Sequence, residues 1–203
     1  MKNGLSYLAL GDSYTIGESV SESERWPARL SEILTLNGLE VATPQIIART
    51  GWTTDELKEK IFSKKITKTY DLVSLLIGVN NQYRGRSVEQ FQAEFIDLLE
   101  TAIKYGGNTP ERVFVVSIPD WGITPFGGKG QNKTISDQID LFNKVKKQET
   151  DKKGVLFIDI TPISRQAIND ASLIAEDDLH PSGKMYQQWA EIIAPKLLKK
   201  IKP

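Results

Sequence analysis

Apolar residues recur along this chain in two alternating rhythms. Short apolar runs of strand length are Leu5–Leu10 (LSYLAL), Asp71–Ile77 (DLVSLLI), Arg112–Ile118 (RVFVVSI) and Val155–Ile160, with Glu40–Ala48 a further strand candidate. Asp71–Ile77 is apolar on both faces, as a central parallel strand would be. Between the runs the period lengthens. Arg25–Leu36 places Trp26, Leu30, Ile33 and Leu34 on one helical face, and Asn37-Gly38 supplies a stop. Thr53–Phe62 opens on TTDE, a capping sequence. Ser87–Tyr105 carries Phe91, Phe95, Leu98, Leu99 and Ile103 at helical spacing, and Ile135–Gln148 and Lys184–Ile201 complete the helices.

Strands alternating with helices predict an α/β fold: a three-layer α/β/α sandwich around a five-stranded, mostly parallel sheet. No linker, repeat or low-complexity segment interrupts the pattern, so residues 1–203 are expected to form one domain. In such sheets ligands sit beyond the carboxyl ends of the strands. The segments that follow strands are GDSYTIG from Gly11, ARTGWTTDE with Gly51, GVNNQYRG with Asn80 and Asn81, the long stretch Pro119–Thr134, and a final connection holding Asp177, Asp178 and His180. A hydroxyl, amide donors, carboxylates and an imidazole are thus expected along one edge of the sheet.

Composition narrows the chemistry. The chain has 203 residues with 26 Lys plus Arg and 26 Asp plus Glu, and this balance argues against a dedicated nucleic-acid binder. It has no cysteine, which excludes disulfides, thiolate metal sites and cysteine nucleophiles, and with His180 as the single histidine no zinc site is expected. No segment approaches the ~18 continuous apolar residues of a membrane span. The N-terminal apolar stretch is too short for a signal peptide, so a cytoplasmic location is expected, although an exported enzyme with its signal removed is compatible. Other motifs fail on inspection. Lys129 has Ile123 and Gly130 where a P-loop needs glycine and Ser or Thr, and no Gly-x-Ser-x-Gly elbow occurs.

Acyl transfer needs the parts that the strand ends hold. A serine hydroxyl is a weak nucleophile until a base takes its proton, and a histidine, with an ordinary pKa of ~6.5, can do so at neutral pH. A carboxylate must hold the imidazole in the correct tautomer, and hydrogen-bond donors must point where the oxyanion develops. The Asp177-x-x-His180 spacing lets one loop carry acid and base, and Pro181 keeps His180 out of the α region. Taken alone, Ser13 would more often be a turn or cap residue, Gly51 a turn residue, and His180 a surface or satisfied polar residue. Asp12 reads as structural, accepting loop amides. Asp178 competes with Asp177 as the orienting acid, and the spacing favours Asp177.

In these residues the chain resembles the GDSL, or SGNH, hydrolases: esterases, lipases and carbohydrate deacetylases with a flavodoxin-like sandwich. Gly11-Asp12-Ser13, Gly51, Gly78-x-Asn80 and Asp177-x-x-His180 match the four blocks of that family in order. The resemblance implies Ser13 as nucleophile, Asp177 and His180 as acid and base, and an oxyanion hole from the Ser13 and Gly51 amides and the Asn80 side chain. Tyr14 stands where the family usually has leucine, and Asn81 where it usually has aspartate; neither change removes a catalytic atom. Tyr14, Tyr83, Trp121 and Phe126 are candidates for a substrate wall, with core or surface packing the alternative, and Pro119–Thr134 has the length of a lid. The expected function is a serine esterase without metal or cofactor, acting on a small-molecule ester of a short acyl group, acetyl on a sugar among the candidates. A lysophospholipase or thioesterase is the alternative within hydrolysis, and an inactive flavodoxin-like binding protein the alternative outside it.

Overall fold

The first strand, β1 (Tyr7–Gly11), is buried at every residue, because neighbours cover it on both faces and both edges. The computed structural model describes residues 4–131 and 133–201. Along the chain come α1 (Ser13–Ile16), α2 (Trp26–Leu36), β2 (Gln45–Ala48), α3 (Thr54–Ser63), β3 (Leu72–Leu76), α4 (Val79–Tyr83) and α5 (Val88–Tyr105). Then follow β4 (Val113–Val116), α6 (Lys133–Lys152), β5 (Leu156–Ile158), α7 (Thr161–Ser164) and α8 (Gly183–Ile201), with short 3₁₀ turns between.

The strands form one sheet in the order β2-β1-β3-β4-β5, and every pairing is parallel. Right-handed crossovers then fix the layers. The β1–β2 connection runs opposite to all the later ones, so α2 and α8 cover one face, packed on each other, while α3, α5 and α6 cover the other. This is the predicted three-layer sandwich. Trp26, Leu30 and Leu34 of α2 are buried, as are Phe91, Phe95, Leu98 and Leu99 of α5, while Ile33 and Ile103 are only partly so. Thr53 and Glu56 form a capping box at α3, and the Ser87 side chain accepts the Gln90 N–H at α5.

The strands are shorter than the apolar runs suggest. β2 begins at Gln45 because Pro44 has no N–H to give a ladder, and Val41 makes only an isolated bridge to Leu5. Conversely, α6 outruns the predicted Ile135–Gln148, since its ends are polar and carry no periodic signal. The short helices α1, α4 and α7 lie where only loops were expected, because four or five residues cannot display a helical period.

The sheet's carboxyl edge is tied from beneath by a buried lysine. Lys146 of α6 is fully buried, and its Nζ donates to the carbonyls of Ile77 (3.0 Å) and Val116 (2.9 Å), at the ends of β3 and β4. Burial pushes its ammonium down to about 7, against the attraction of Asp12. Lys146→Met should therefore leave two strand-end carbonyls without their donor and lower the unfolding free energy by about 2–4 kcal/mol. Urea denaturation measures the loss; a variant as stable as the parent would show that these bonds contribute nothing net.

Candidate active site

The register of the sheet brings distant residues to one height. Gly11 at the end of β1 lies beside Ala48 of β2 and Leu76 of β3, so the segments that follow these strands emerge side by side. From β1 the chain passes Asp12 and turns at once into α1. The buried Asp12 carboxylate accepts the Tyr14 N–H at 3.1 Å and caps the helix, and Ser13 is its first residue. Burial pushes the Asp12 carboxyl up to about 7, with the Tyr14 amide and the charge of Lys146 opposing it.

Beyond β2, Gly51 occupies the left-handed region (φ +85°) in a turn closed by the Trp52 N–H on the Arg49 carbonyl at 3.3 Å. Beyond β3, Gly78 has φ +126°, and a Cβ there would stand 2.7 Å from the Phe91 ring, so only glycine can start α4 so close to α5. Asn80 then donates from Nδ2 to the Trp52 carbonyl at 2.9 Å, which orients the amide and leaves its second N–H for the cleft it lines. Its neighbour Asn81 turns the other way. Fully buried, it accepts the Thr54 N–H at 3.1 Å and donates to Thr54 Oγ1 at 2.6 Å, joining α4 to α3.

The segment before α8 supplies the acid and the imidazole. It is closed by an isolated antiparallel bridge between Ile174 and Pro181 and by the Ala175 N–H on the His180 carbonyl at 2.8 Å. Asp177 Oδ1 accepts the N–H groups of Leu179 (3.0 Å) and His180 (2.8 Å), while Oδ2 meets His180 Nδ1 at 2.6 Å. Partial burial works to raise the Asp177 carboxyl, but the donors from Ser19, His180 and Leu179 outweigh it and hold it at about 2. An ionised carboxylate can only accept, so Nδ1 carries a proton, and in the neutral imidazole the lone pair then lies on Nε2. Asp178 is exposed, in the left-handed region (φ +62°), and its carbonyl accepts the Phe126 N–H. Asp177 is thus the acid that meets the imidazole.

Ser13, Gly51, Asn80 and His180 line one open cleft, together with Tyr14, Thr50, Val79, Tyr83, Trp121, Phe126 and Leu179. All four wall candidates from the sequence are therefore present. Tyr14 is buried and packs on the imidazole, ring centroids 5.5 Å apart, so it supports His180 as well as closing the cleft. Tyr83 and Phe126 are exposed, and each flanks Trp121, at 5.4 Å and 6.1 Å. Gln82 fixes Trp121 by accepting its indole N–H at 2.8 Å. The long stretch Pro119–Thr134, apart from Asn132, which lies outside the described residues, is tied down. Arg165 donates to the buried Asp120 carboxylate at 2.9 Å, and Gly130 N–H bonds the Gly122 carbonyl at 2.9 Å. Thr50, Val79 and Leu179 were not singled out in the sequence; each adjoins a residue that was, which is the only signal they carry. No group of side chains suited to hold a metal ion occurs among the described residues, and no helix among them is long and apolar enough to cross a membrane.

The fold has counterparts among solved structures. The fold is similar to that of TesA (TM-score 0.72, 17% identity, covering 96% of this chain and 98% of that one). It is similar also to the psychrotrophic esterase EstA from Pseudoalteromonas sp., in a structure inhibited by monoethylphosphonate (TM-score 0.73, 14% identity, 98% and 99% covered). A third is Axe2, an acetylxylan esterase from Geobacillus stearothermophilus (TM-score 0.67, 20% identity, 100% and 97% covered). No curated protein sequence matches the chain. The model of the GDSL-like lipase/acylhydrolase family matches residues 9–188, a span that runs from within β1 past His180, and the chain belongs to that family of hydrolases.

Proposed function

We propose that the protein is a serine esterase that hydrolyses neutral esters of short acyl groups through an acyl-enzyme on Ser13. The observation that carries this reading is the 2.6 Å contact between His180 Nδ1 and an ionised Asp177, because it leaves Nε2 free as a base beside the cleft that Ser13 lines. Ser13 Oγ attacks the ester carbonyl carbon while His180 takes its proton. The carbonyl π electrons move to oxygen, giving a tetrahedral oxyanion. That oxygen faces the Ser13 amide, one of the N–H groups a helix start leaves without an intrahelical acceptor, along with the Gly51 amide and the Asn80 side chain. Collapse breaks the bond to the alcohol, which leaves with the proton from His180. Water then attacks the acyl carbonyl by the same route and restores Ser13.

The lining of the cleft supports a neutral substrate. Among the described residues it contains no lysine, arginine or acidic side chain, so none of them pairs there with the phosphate of a phospholipid or nucleotide-bearing thioester. Arg84 stands nearby, but it is engaged by the Gly51 carbonyl at 2.7 Å and by Glu56. The exposed faces of Tyr83 and Phe126 beside Trp121 suit the flat face of a sugar ring on the alcohol side. The acetylxylan esterase among the structural neighbours is in keeping with such a substrate.

A fluorophosphonate should label Ser13, and Ser13→Ala should remove both the label and turnover of p-nitrophenyl acetate. Labelling at another residue, with Ser13→Ala still active, would overturn the assignment. A chain-length series of p-nitrophenyl esters should give its highest kcat/KM at acetyl or propionyl; a maximum at long chains would favour a lipase instead.

Asn80→Ala should lower kcat by about 10²–10³ with little change in KM, because the planar ground-state carbonyl gains little from that donor and the oxyanion gains much. Asn81→Ala should instead mainly lower the melting temperature, since Asn81 joins α3 to α4. A rise in KM at constant kcat for Asn80→Ala would make it a substrate-binding residue.

Asp177→Asn should cost far more activity than Asp178→Asn. With Asp177 ionised down to about 2, its own protonation should add no step to log kcat/KM between about pH 4 and 6. A carboxylate step in that range would show that the acid is misassigned.

A further inference from the structure

We infer that Ser19 is a positioning residue that ties the acid–base loop to the nucleophile turn. The inference rests on the roles proposed for Asp177 and His180. Asp177 draws donors from its own loop, namely the amides of Leu179 and His180 and the His180 imidazole. Those bonds shape the loop but cannot fix it relative to Ser13. The remaining donor comes from the other end of the chain: Ser19 Oγ donates to Asp177 Oδ2 at 2.5 Å across a sequence separation of 158. It lands on the same oxygen that meets the imidazole.

Ser19 sits on a turn that is anchored to the nucleophile. The N–H groups of Gly17 and Glu18 donate to the Ser13 carbonyl at 3.0 and 3.1 Å, so the turn moves with α1. The Glu18 carboxylate in turn accepts the hydroxyl of Thr50, the residue before Gly51. One short turn therefore reaches the loop that bears His180 and the loop that bears Gly51. Ser19 holds a left-handed backbone (φ +66°), which is unfavourable for a non-glycine residue and persists where surrounding contacts enforce it. Its side chain is what aims the hydroxyl at Asp177. The carboxylate must share its charge between Ser19 and His180, so the hydroxyl sets both the direction of Oδ2 and the strength of its bond to Nδ1–H.

The test compares Ser19→Ala with Ser19→Gly. Both remove the hydroxyl, while glycine also relieves the backbone conformation. Both should lower kcat by about threefold to tenfold with KM unchanged, the worth of one hydrogen bond felt by the base. The single histidine of the chain makes its Nδ1–H the one imidazole proton resonance to follow by NMR. It should shift in both variants, as Oδ2 loses the donor that aims it at Nδ1–H. Parental kcat with an unmoved resonance overturns the inference. So does a loss in Ser19→Ala that Ser19→Gly restores, which would assign the effect to the backbone. The resonance is read without turnover. A parent inactive on every ester, whose resonance still moves in both variants, would therefore sink the esterase reading and leave the tie between Ser19 and Asp177 standing.

Discussion

Parallel pairing of β1 between β2 and β3 is the constraint from which the site follows. Reversing or slipping either neighbour would carry the Gly51 turn or the Gly78 turn away from Ser13, whatever the loops themselves preferred. The sheet order also makes β1 and β3 the pair at which the direction of the crossovers reverses, and a doubly wound sheet opens a crevice at such a point. The loop with Asp177 and His180 arrives from the far side of the sequence. It reaches the same crevice because α8, which follows it, packs on α2 against the same face of the sheet.

Two carboxylates near this crevice show how environment separates like groups. Asp12 is buried at the foot of the site, with one amide on Oδ1 and no hydrogen-bond partner for Oδ2 among the described residues, and burial pushes its carboxyl up to about 7. Asp177 is partly exposed and surrounded by donors, and stays ionised to about 2. The first suits a buried cap whose nearest compensation is Lys146; the second suits a permanent negative partner for an imidazole. The buried lysine has its own use at the strand ends, where it supplies donors to carbonyls that no further strand residue can reach.

Much of this was legible in the sequence, for physical reasons that can be named. A buried parallel strand reads as an apolar run and a surface helix as a period, so the sheet and the long helices were visible. Asp177 and His180 stood out because a lone histidine three residues after an aspartate is a local pattern. Asn80 was separable from Asn81 only through the resemblance to the hydrolase family; the donor groups are identical, and the tertiary bonds to Trp52 and Thr54 tell them apart. Tyr14 was read as a wall and is also a support for His180. Ser19 was invisible, since its partner lies far along the chain and a left-handed serine has no sequence signature. Lys146 was equally hidden: within α6 it reads as one lysine among several, and only the fold buries it.

The distance along the chain between Ser13 and its proposed partners has a consequence for how the protein comes into being. Ser13 precedes four of the five strands and His180 follows the last of them, with α8 still to come. On the proposed roles, a growing polypeptide carries Ser13 without its base until the whole sheet has been made, and a fragment cut short before His180 holds an inert serine. Reactivity is then coupled to assembly of the sheet, so that competence toward an acylating agent reports on the fold from β1 to α8.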